Sequence, residues 1–527
     1  MRAMRSLRTA LFLSLALLAA ACATTIPPID TAPETADVAS ITPAAGHFRI
    51  LQINDVYKIE GLEGGNSGGL ARVRTLRKHL GSDGTPVLLL HAGDLIFPSV
   101  MSKYLNGEAM IDVMNMLDGD AQAHDNLMMV TFGNHEFDKS DARVLLQRLD
   151  QSAFEWVAAN TRWCNPECDQ RFPKTSDVIV RDIGGVRVGV FGLLYPLKKS
   201  YVRSGEVIER ATEAVRLARE QGAKVVIAVT HEDMADDLKL AQDVLGIDLV
   251  IGGHDHLFTQ GGVGDTWITK ADADAKSVIV YDVMYDGKVK TVPLRVVVDK
   301  TIPKDPDVDA RVQLWMNRLT EKLGGNETIG YTKNLLEGIE PAVRGYETAL
   351  GNLLMDAARK QMGTEIALLN GGSIRINDNI PPGPITKFDM EGVFYYTNTL
   401  VAFPLTGQQL LDMLRNGVSR ADAGDGRFLQ VSGLTFKYAK EGDHFTVDPA
   451  DVKVGGQPLD LAKTYSVASI DFVYLHGEED GYVLFKDETR PPKINTDREA
   501  DFRKTVEAYI RAAGTVDVEV EGRIVRK

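Results

Sequence analysis

Cysteine is scarce: the 527-residue chain has three. Cys164 and Cys168 flank Asn165, Pro166 and Glu167, and no second Cys or His pair at zinc-site spacing accompanies them, which disfavours a structural metal site. A small disulfide loop closed in an oxidising compartment is the expectation instead. Positive charge is also short, since 59 Lys and Arg against 73 Asp and Glu give a formal net charge of -14. That balance excludes a general nucleic-acid backbone binder, which needs a basic face to displace counterions. A phosphate site on such a chain has to be positive locally, and bound metal cations can supply the charge. With 44% hydrophobic and 25% charged residues, nothing points to a fibrous, disordered or multi-span membrane chain.

What is present begins with a leader. Arg2, Arg5 and Arg8 precede an apolar run over residues 11–18, followed by Ala19, Ala20, Ala21 and Cys22. The run is too short for a comfortable span, and its basic start and small-residue end predict an export signal. Leu18 to Cys22 is similar to a bacterial lipobox, which implies lipidation of Cys22 over residues 1–22 and attachment to a membrane; simple cleavage near Ala21 is the alternative. Residues 23–46, rich in Ala, Thr and Pro, read as a flexible tether.

The remaining length exceeds what one hydrophobic core usually organises, so two domains are expected. Over residues 47–303, β-rich runs alternate with amphipathic stretches, the clearest buried strands being 48–53, 87–90, 127–130, 225–229 and 249–251. Gly184-Gly185 and Asp286-Gly287 read as hairpin turns, predicting mixed sheets. Residues 304–326, with Val308, Val312, Trp315 and Leu319 at helical spacing before Gly324-Gly325, predict a linker helix, and a second α/β domain follows over 327–527.

Five strand ends run into polar clusters: Asn54 to Tyr57, Gly93-Asp94, Gly133 to Asp138, Thr230 to Glu232, and Gly252 to His256. Taken singly, an Asp after Gly is usually a turn and a His usually structural. Together, in this order, they resemble the blocks of the calcineurin-like metallophosphoesterases, in their 5′-nucleotidase/UDP-sugar hydrolase branch. The resemblance implies a four-layer sandwich with mixed sheets joined to an α/β nucleotide-binding domain. It also implies two divalent metal ions, zinc, manganese or similar, which neutralise the phosphate's charge and activate water. Carried over by position, Asp55 and His256 hold the first ion, Asn134, His231 and His254 the second, and Asp94 bridges them. His135 with Asp138 matches the catalytic dyad, the carboxylate fixing the ring. Glu136 and Asp255 receive no direct role.

One position departs from the pattern. Where the family has Asp-x-His, this chain has Asp55-Val56-Tyr57. Tyr57 either binds as phenolate, which favours a harder ion such as ferric iron, or lines the site while water fills the position.

In the second domain, Asn370 to Arg375 is similar to the family's substrate motif, which implies a role for Asn370 and a phosphate contact for Arg375. Arg344, seven residues before Gly351, matches a second substrate arginine. Residues 426–433 and 474–482 resemble the blocks that clamp the base, which implies that Phe428 and Tyr474 sandwich it and that Asp480 accepts from ribose hydroxyls; the alternative is that both rings are ordinary core aromatics and Asp480-Gly481 an ordinary turn. Catalysis is then expected between the domains, with the second rotating about the linker helix near Trp315.

The function implied is metal-dependent hydrolysis of nucleoside 5′-phosphates, extending to di- and triphosphates or nucleotide sugars, in the periplasm or cell envelope. The alternatives are a 2′,3′-cyclic nucleotide phosphodiesterase, a sulfur-ester hydrolase, or a lipoprotein that binds nucleotides without turnover. Oligomeric state is not legible.

Overall fold

The structure, a computed structural model, describes residues 46–442 and 444–527. The expected export signal with Cys22, and the tether up to residue 45, lie outside the described residues. Among these, no helix is long and apolar enough to cross a membrane.

Two mixed sheets face one another in the N-terminal domain. The first runs in the order Val289–Lys290, Ser277–Tyr285, His47–Ile53, Val87–His91, Asp125–Thr131, Phe154–Val157, Thr175–Ser176, with Pro293–Val297 also pairing Ser277–Tyr285. The second runs Thr259–Val263, Thr266–Lys270, Leu249–Gly252, Val225–His231, Val186–Leu194, Val178–Ile183. Gly184-Gly185 turns the chain between the antiparallel strands Val178–Ile183 and Val186–Leu194, as the glycine pair predicts. All seven residues of Val225–His231 are buried, as a central parallel strand with both faces covered requires.

Alternate residues of these strands point to opposite faces, so each sheet feeds two cores. Phe48, Ile50, Leu88, Leu90, Val188, Val190 and Ile227 fill the space between the sheets. The first sheet's outer face packs Leu51, Ile53 and Leu89 on the helices Leu70–Leu80, Glu108–Met114 and Pro306–Lys322. The second sheet's outer face receives Val207–Glu220, which buries Ala211, Ala214, Val215 and Ala218 at helical spacing. The layers are therefore helix, sheet, sheet, helix. Cys164 and Cys168 are joined in a disulfide, with Cα atoms 3.8 Å apart.

The helix Pro306–Lys322 begins with an Asp305 cap on the Asp307 and Val308 amides. It packs on the N-terminal domain. Val308, Val312, Trp315 and Leu319 are part of the N-terminal core, and Trp315 Nε1 donates to Asp112 at 2.6 Å. The helix is followed by Gly324 and Gly325, which take the φ of 71° and 105° that favour glycine and close the helix end through their amides on the Glu321 and Thr320 carbonyls.

The C-terminal domain is built on a sheet ordered Leu429–Ser432, Ile366–Asn370, Thr464–Ile470, Thr399–Thr406, Ala500–Asp501. The helix Ala349–Met362, capped by Thr348, lies against it through Leu350, Leu353, Leu354 and Ala357. Asn370 ends the strand Ile366–Asn370, which delivers residues 370–375 to the cleft between the domains.

Candidate metal centre and substrate cleft

Ile53, His91 and Thr131 end neighbouring parallel strands of one sheet, and His231 and Gly252 end neighbouring parallel strands of the other. Polar residues come after each end, so they collect along the carboxyl edges, where ligand sites of α/β sheets form. Asp55, Asp94 and His231 are buried there and offer ligand atoms within 4.8 Å of one another. Close approach demands glycine at two places. A Cβ on Gly133 would lie 2.1 Å from Asp94 Oδ1, and one on Gly93, whose φ is +83°, would lie 2.5 Å from His231 Nδ1.

The donor set fits a cation. His231 Nδ1 sits 2.8 Å from the Ala92 carbonyl, an acceptor, so that nitrogen carries the proton and Nε2 presents its lone pair. Nε2 then faces Asp94 Oδ2 at 3.3 Å and Asn134 Oδ1 at 3.1 Å, two further acceptors. Three acceptors converging on one point need positive charge between them. In the metal-free chain a proton fills that role: burial alone would lower His231, but Asp94 and then Asp55 push it up to about 9. Asp55 is held down at about 2, its burial outweighed by His256 and His231.

Tyr57 joins this group. Its hydroxyl lies 3.0 Å from Asp94 Oδ2, 3.3 Å from Asp55 Oδ1 and 2.9 Å from His256 Nε2. Burial, with Asp94 and Asp55 beside it, pushes the phenol well above its ordinary range, so without a strongly charged ion it stays a hydrogen-bond donor. His256 Nε2 is 3.4 Å from Asp55 Oδ1. The His254 ring lies 5.0 Å from that of His231, and burial followed by His231 lowers it to about 4, leaving it neutral. His135 Nδ1 meets Asp138 Oδ2 at 2.9 Å, and its Nε2 is 4.0 Å from Asp94.

Glu136 has a role the sequence did not disclose. Its Oε2 accepts from the Asp94 and Gly133 amides at 3.0 and 2.6 Å, and its Oε1 from the Leu95 and Ile96 amides at 2.7 and 2.9 Å. It ties the Asp94 loop to the His135 loop. Asp274 does the same for the first block, accepting from the Tyr57 and Lys58 amides at 2.8 and 2.9 Å.

Facing this centre, a cavity of about 90 Å³ lies between the domains, lined by Tyr57, Lys58 and His256 on one side and Glu340, Arg375 and Tyr395 on the other. Glu340 pairs with Arg344, lies 3.9 Å from Arg375 and shares a hydrogen bond with His256 Nδ1 at 2.5 Å. Burial, then the Arg375 charge, brings the Arg344 guanidinium down to about 9. Asn370 Nδ2 donates to Asp480 Oδ2 at 3.1 Å, so these two act as a pair. Nothing in the sequence near Glu340 signalled its position.

The base clamp reads differently in the structure. Phe428 has 0% exposure and packs edge-on to Tyr438 inside the C-terminal core. Tyr474 is 8% exposed, stacks on Phe403 at 5.6 Å and donates its hydroxyl to the Pro491 carbonyl. Neither ring has a free face, so the expected sandwich is not formed by this pair. An exposed aromatic beside Arg375 is Tyr396, 46% exposed, with the Arg375 guanidinium 5.9 Å from its ring centre. The signal was the tandem Tyr395-Tyr396 just beyond the helix Lys387–Val393.

The sequence matches the calcineurin-like phosphoesterase family over residues 48–258 and the 5′-nucleotidase C-terminal domain family over residues 328–487. The chain belongs to the 5′-nucleotidase family. The chain is 29% identical over 508 residues to the trifunctional nucleotide phosphoesterase of Bacillus subtilis, covering 86% of this chain and 34% of that one. It is 27% identical to the snake venom 5′-nucleotidase of Naja atra, covering 87% of this chain and 93% of the venom protein. The crystal structure of the 5′-nucleotidase precursor from Thermus thermophilus superposes with a TM-score of 0.74 at 26% identity, over 91% of this chain and 99% of that one. The protein is thus a metal-dependent phosphoester hydrolase of two α/β domains.

Proposed function

We propose that the protein hydrolyses nucleoside 5′-phosphates to nucleoside and phosphate at a dinuclear metal site, outside the cytoplasm, and that Cys22 carries a lipid anchor. The observation that carries the reading is Asp94: one carboxylate faces His231, Tyr57 and, at 4.0 Å, the ring of His135. Asp55, Tyr57 and His256 would hold one ion and Asn134, His231 and His254 the other, with Asp94 between. Two divalent ions there supply charge neutralisation and a water acidic enough to act as nucleophile.

The protein's own groups do the rest. Arg344 and Arg375 bind the phosphate through charge-assisted hydrogen bonds once it replaces the Glu340 carboxylate between them. Tyr396 offers a ring face to the base, and Asp480 with Asn370 offers an acceptor and a donor to the ribose. Asp138 holds the proton on His135 Nδ1, which keeps Nε2 turned toward Asp94 and the phosphate. As the imidazolium, His135 steadies negative charge developing on the phosphate or the leaving oxygen.

The test is phosphate release from a panel of nucleoside mono-, di- and triphosphates and nucleotide sugars by metal-reconstituted protein. His135→Ala is expected to lower kcat by roughly 10²–10⁴-fold. A full rate in that variant would remove the dyad assignment, and nucleotide binding without turnover under any metal would establish a binding protein instead.

A further inference from the structure

Lys270 is the last residue of the strand Thr266–Lys270, beside Gly252 of the neighbouring strand, and its side chain has 0% exposure. A wholly buried ammonium loses its water shell and has to be compensated by acceptors. Four converge on it. Nζ reaches Asp255 Oδ2 at 2.6 Å, the Gly253 carbonyl at 2.8 Å, Asp237 Oδ2 at 3.0 Å and the Glu232 carbonyl. Asp237 is itself fixed by the Thr230 hydroxyl at 2.5 Å, and Asp255 accepts from the Met234 amide at 3.1 Å. Burial alone would lower Lys270, and the carboxylates Asp237 and Asp255 outweigh it and raise it above its ordinary value.

The placement of these acceptors is informative. Glu232 directly follows His231, Gly253 directly precedes His254, and Asp255 separates His254 from His256. One side chain therefore holds a peptide carbonyl beside His231, another beside His254, and the carboxylate of the residue between His254 and His256. His254 and His256 also take φ of 82° and 60°, a region that is sterically unfavourable for residues with a Cβ and persists only where surroundings hold it. A core lysine serving stability alone would need acceptors, but not acceptors distributed over these loops.

We propose that Lys270 is a positioning residue for the metal centre: its ammonium locks the His231 loop against the His254 to His256 loop, so that the ion held by His231 and His254 meets a preformed site. The inference rests on the two-ion reading above. A side chain that orients metal ligands typically changes metal affinity 10–100-fold when removed.

The experiment is zinc titration of the full, metal-stripped chain in competition with a chromophoric chelator, which resolves two binding constants without recourse to activity. Lys270→Met is expected to weaken one constant by roughly 10–100-fold and leave the other within about twofold. Removing one partner of a buried charge cluster threatens folding, so Asp255→Asn is the second variant. It keeps the two carbonyl bonds of Lys270 but loses the charge between His254 and His256, and it should weaken the same constant to a smaller extent. If both variants lower the melting temperature while both constants stay at wild-type values, or if Asp255→Asn does so where Lys270→Met yields no soluble protein, the inference is overturned. A wild type that binds fewer than two ions overturns the two-ion reading and this inference with it.

Discussion

Replacing Glu136 with Gln isolates the part of the site that no sequence pattern announced. The carboxylate accepts four backbone amides, two on each oxygen, from residues 94, 133, 95 and 96. Glutamine has nearly the same shape but only one acceptor oxygen. Whichever way its amide turns, two of the four N–H groups face an NH₂ group and lose their partner. Hydrogen bonds to a charged acceptor contribute about 1.5–3 kcal/mol each, so the loss is about 3–6 kcal/mol, with the desolvation of the stranded amides included in that range. Against a domain stability of about 5–15 kcal/mol this is a large fraction. Burial, then the Asp94 charge, pushes the Glu136 carboxyl up to about 7, so urea unfolding of the metal-free protein at a pH well above that, where the carboxylate is ionised, measures the difference between wild type and Glu136→Gln directly. The Glu136 residue is 1% exposed, so water cannot substitute for the missing acceptor. A difference below about 1 kcal/mol would refute the reasoning, because it would mean that the four amides are not held by this carboxylate.

The geometry gives three further expected outcomes. Tyr396→Ala should raise KM for nucleotides by roughly 5–150-fold, the equivalent of about 1–3 kcal/mol of stacking, without moving the melting temperature, whereas Phe428→Ala should cost about 3–5 kcal/mol of stability as a core cavity. An unchanged KM in Tyr396→Ala would return the base to another surface. Burial holds the Glu60 carboxyl up at about 7 from its ordinary 4.5. The fold therefore keeps a proton that the unfolded chain sheds, and the stability this contributes is full below pH 4.5 and lost as pH rises toward 7. Glu60→Gln should gain on wild type in urea midpoint between about pH 5 and about pH 7.5, and a constant difference would contradict the burial. Glu340→Gln removes the resident carboxylate from Arg344 and Arg375, so inorganic phosphate should inhibit this variant at lower concentration than wild type; weaker inhibition would show that Glu340 orders the arginines rather than competing for them.

Much of the site was legible because strand ends are legible. The apolar runs before Asn54, Gly93, Gly133 and Thr230 are long enough to read as buried strands, and parallel pairing lines up the carboxyl ends within each of the two sheets, so the polar residues there collect along their carboxyl edges. What the sequence could not disclose was direction within a short segment. Phe428 directly precedes the fully buried strand Leu429–Ser432, and nothing local distinguishes a ring turned into the core from one turned into the cleft. Tyr474 failed in the same way, its ring drawn onto Phe403 from another strand. Lys270 ends a Thr-Trp-Ile-Thr-Lys strand in which a lysine reads as a solvated end, and only the fold brings Asp237 and Asp255 to it. Trp315 marked a helix correctly, but its bond to Asp112, which ties that helix to the N-terminal core, was not legible.

Backbone conformation links the residues the sequence missed to those it identified. Asp55, Asp94, His254 and His256 all adopt left-handed φ, between 51° and 82°. Such conformations cost on the order of 1–3 kcal/mol each for residues other than glycine, so four of them represent a debt comparable with the stability of a whole domain. The compensating groups are buried polar residues. Asp274 donates its backbone amide to the Asp55 carbonyl and accepts the Tyr57 amide, Glu136 accepts the Asp94 amide, and Lys270 holds Gly253 and Asp255 on either side of His254. Each strained ligand thus has an adjacent hydrogen-bonding group that is itself separate in sequence. The centre is consequently held in its ligating shape by protein contacts, and this predicts that stripping the metals leaves the loops ordered. Amide hydrogen exchange at residues 93–96 and 253–256 should therefore remain slow in the metal-free chain, whereas protection that appears only after metal is added would show that the ions themselves impose the strained backbone.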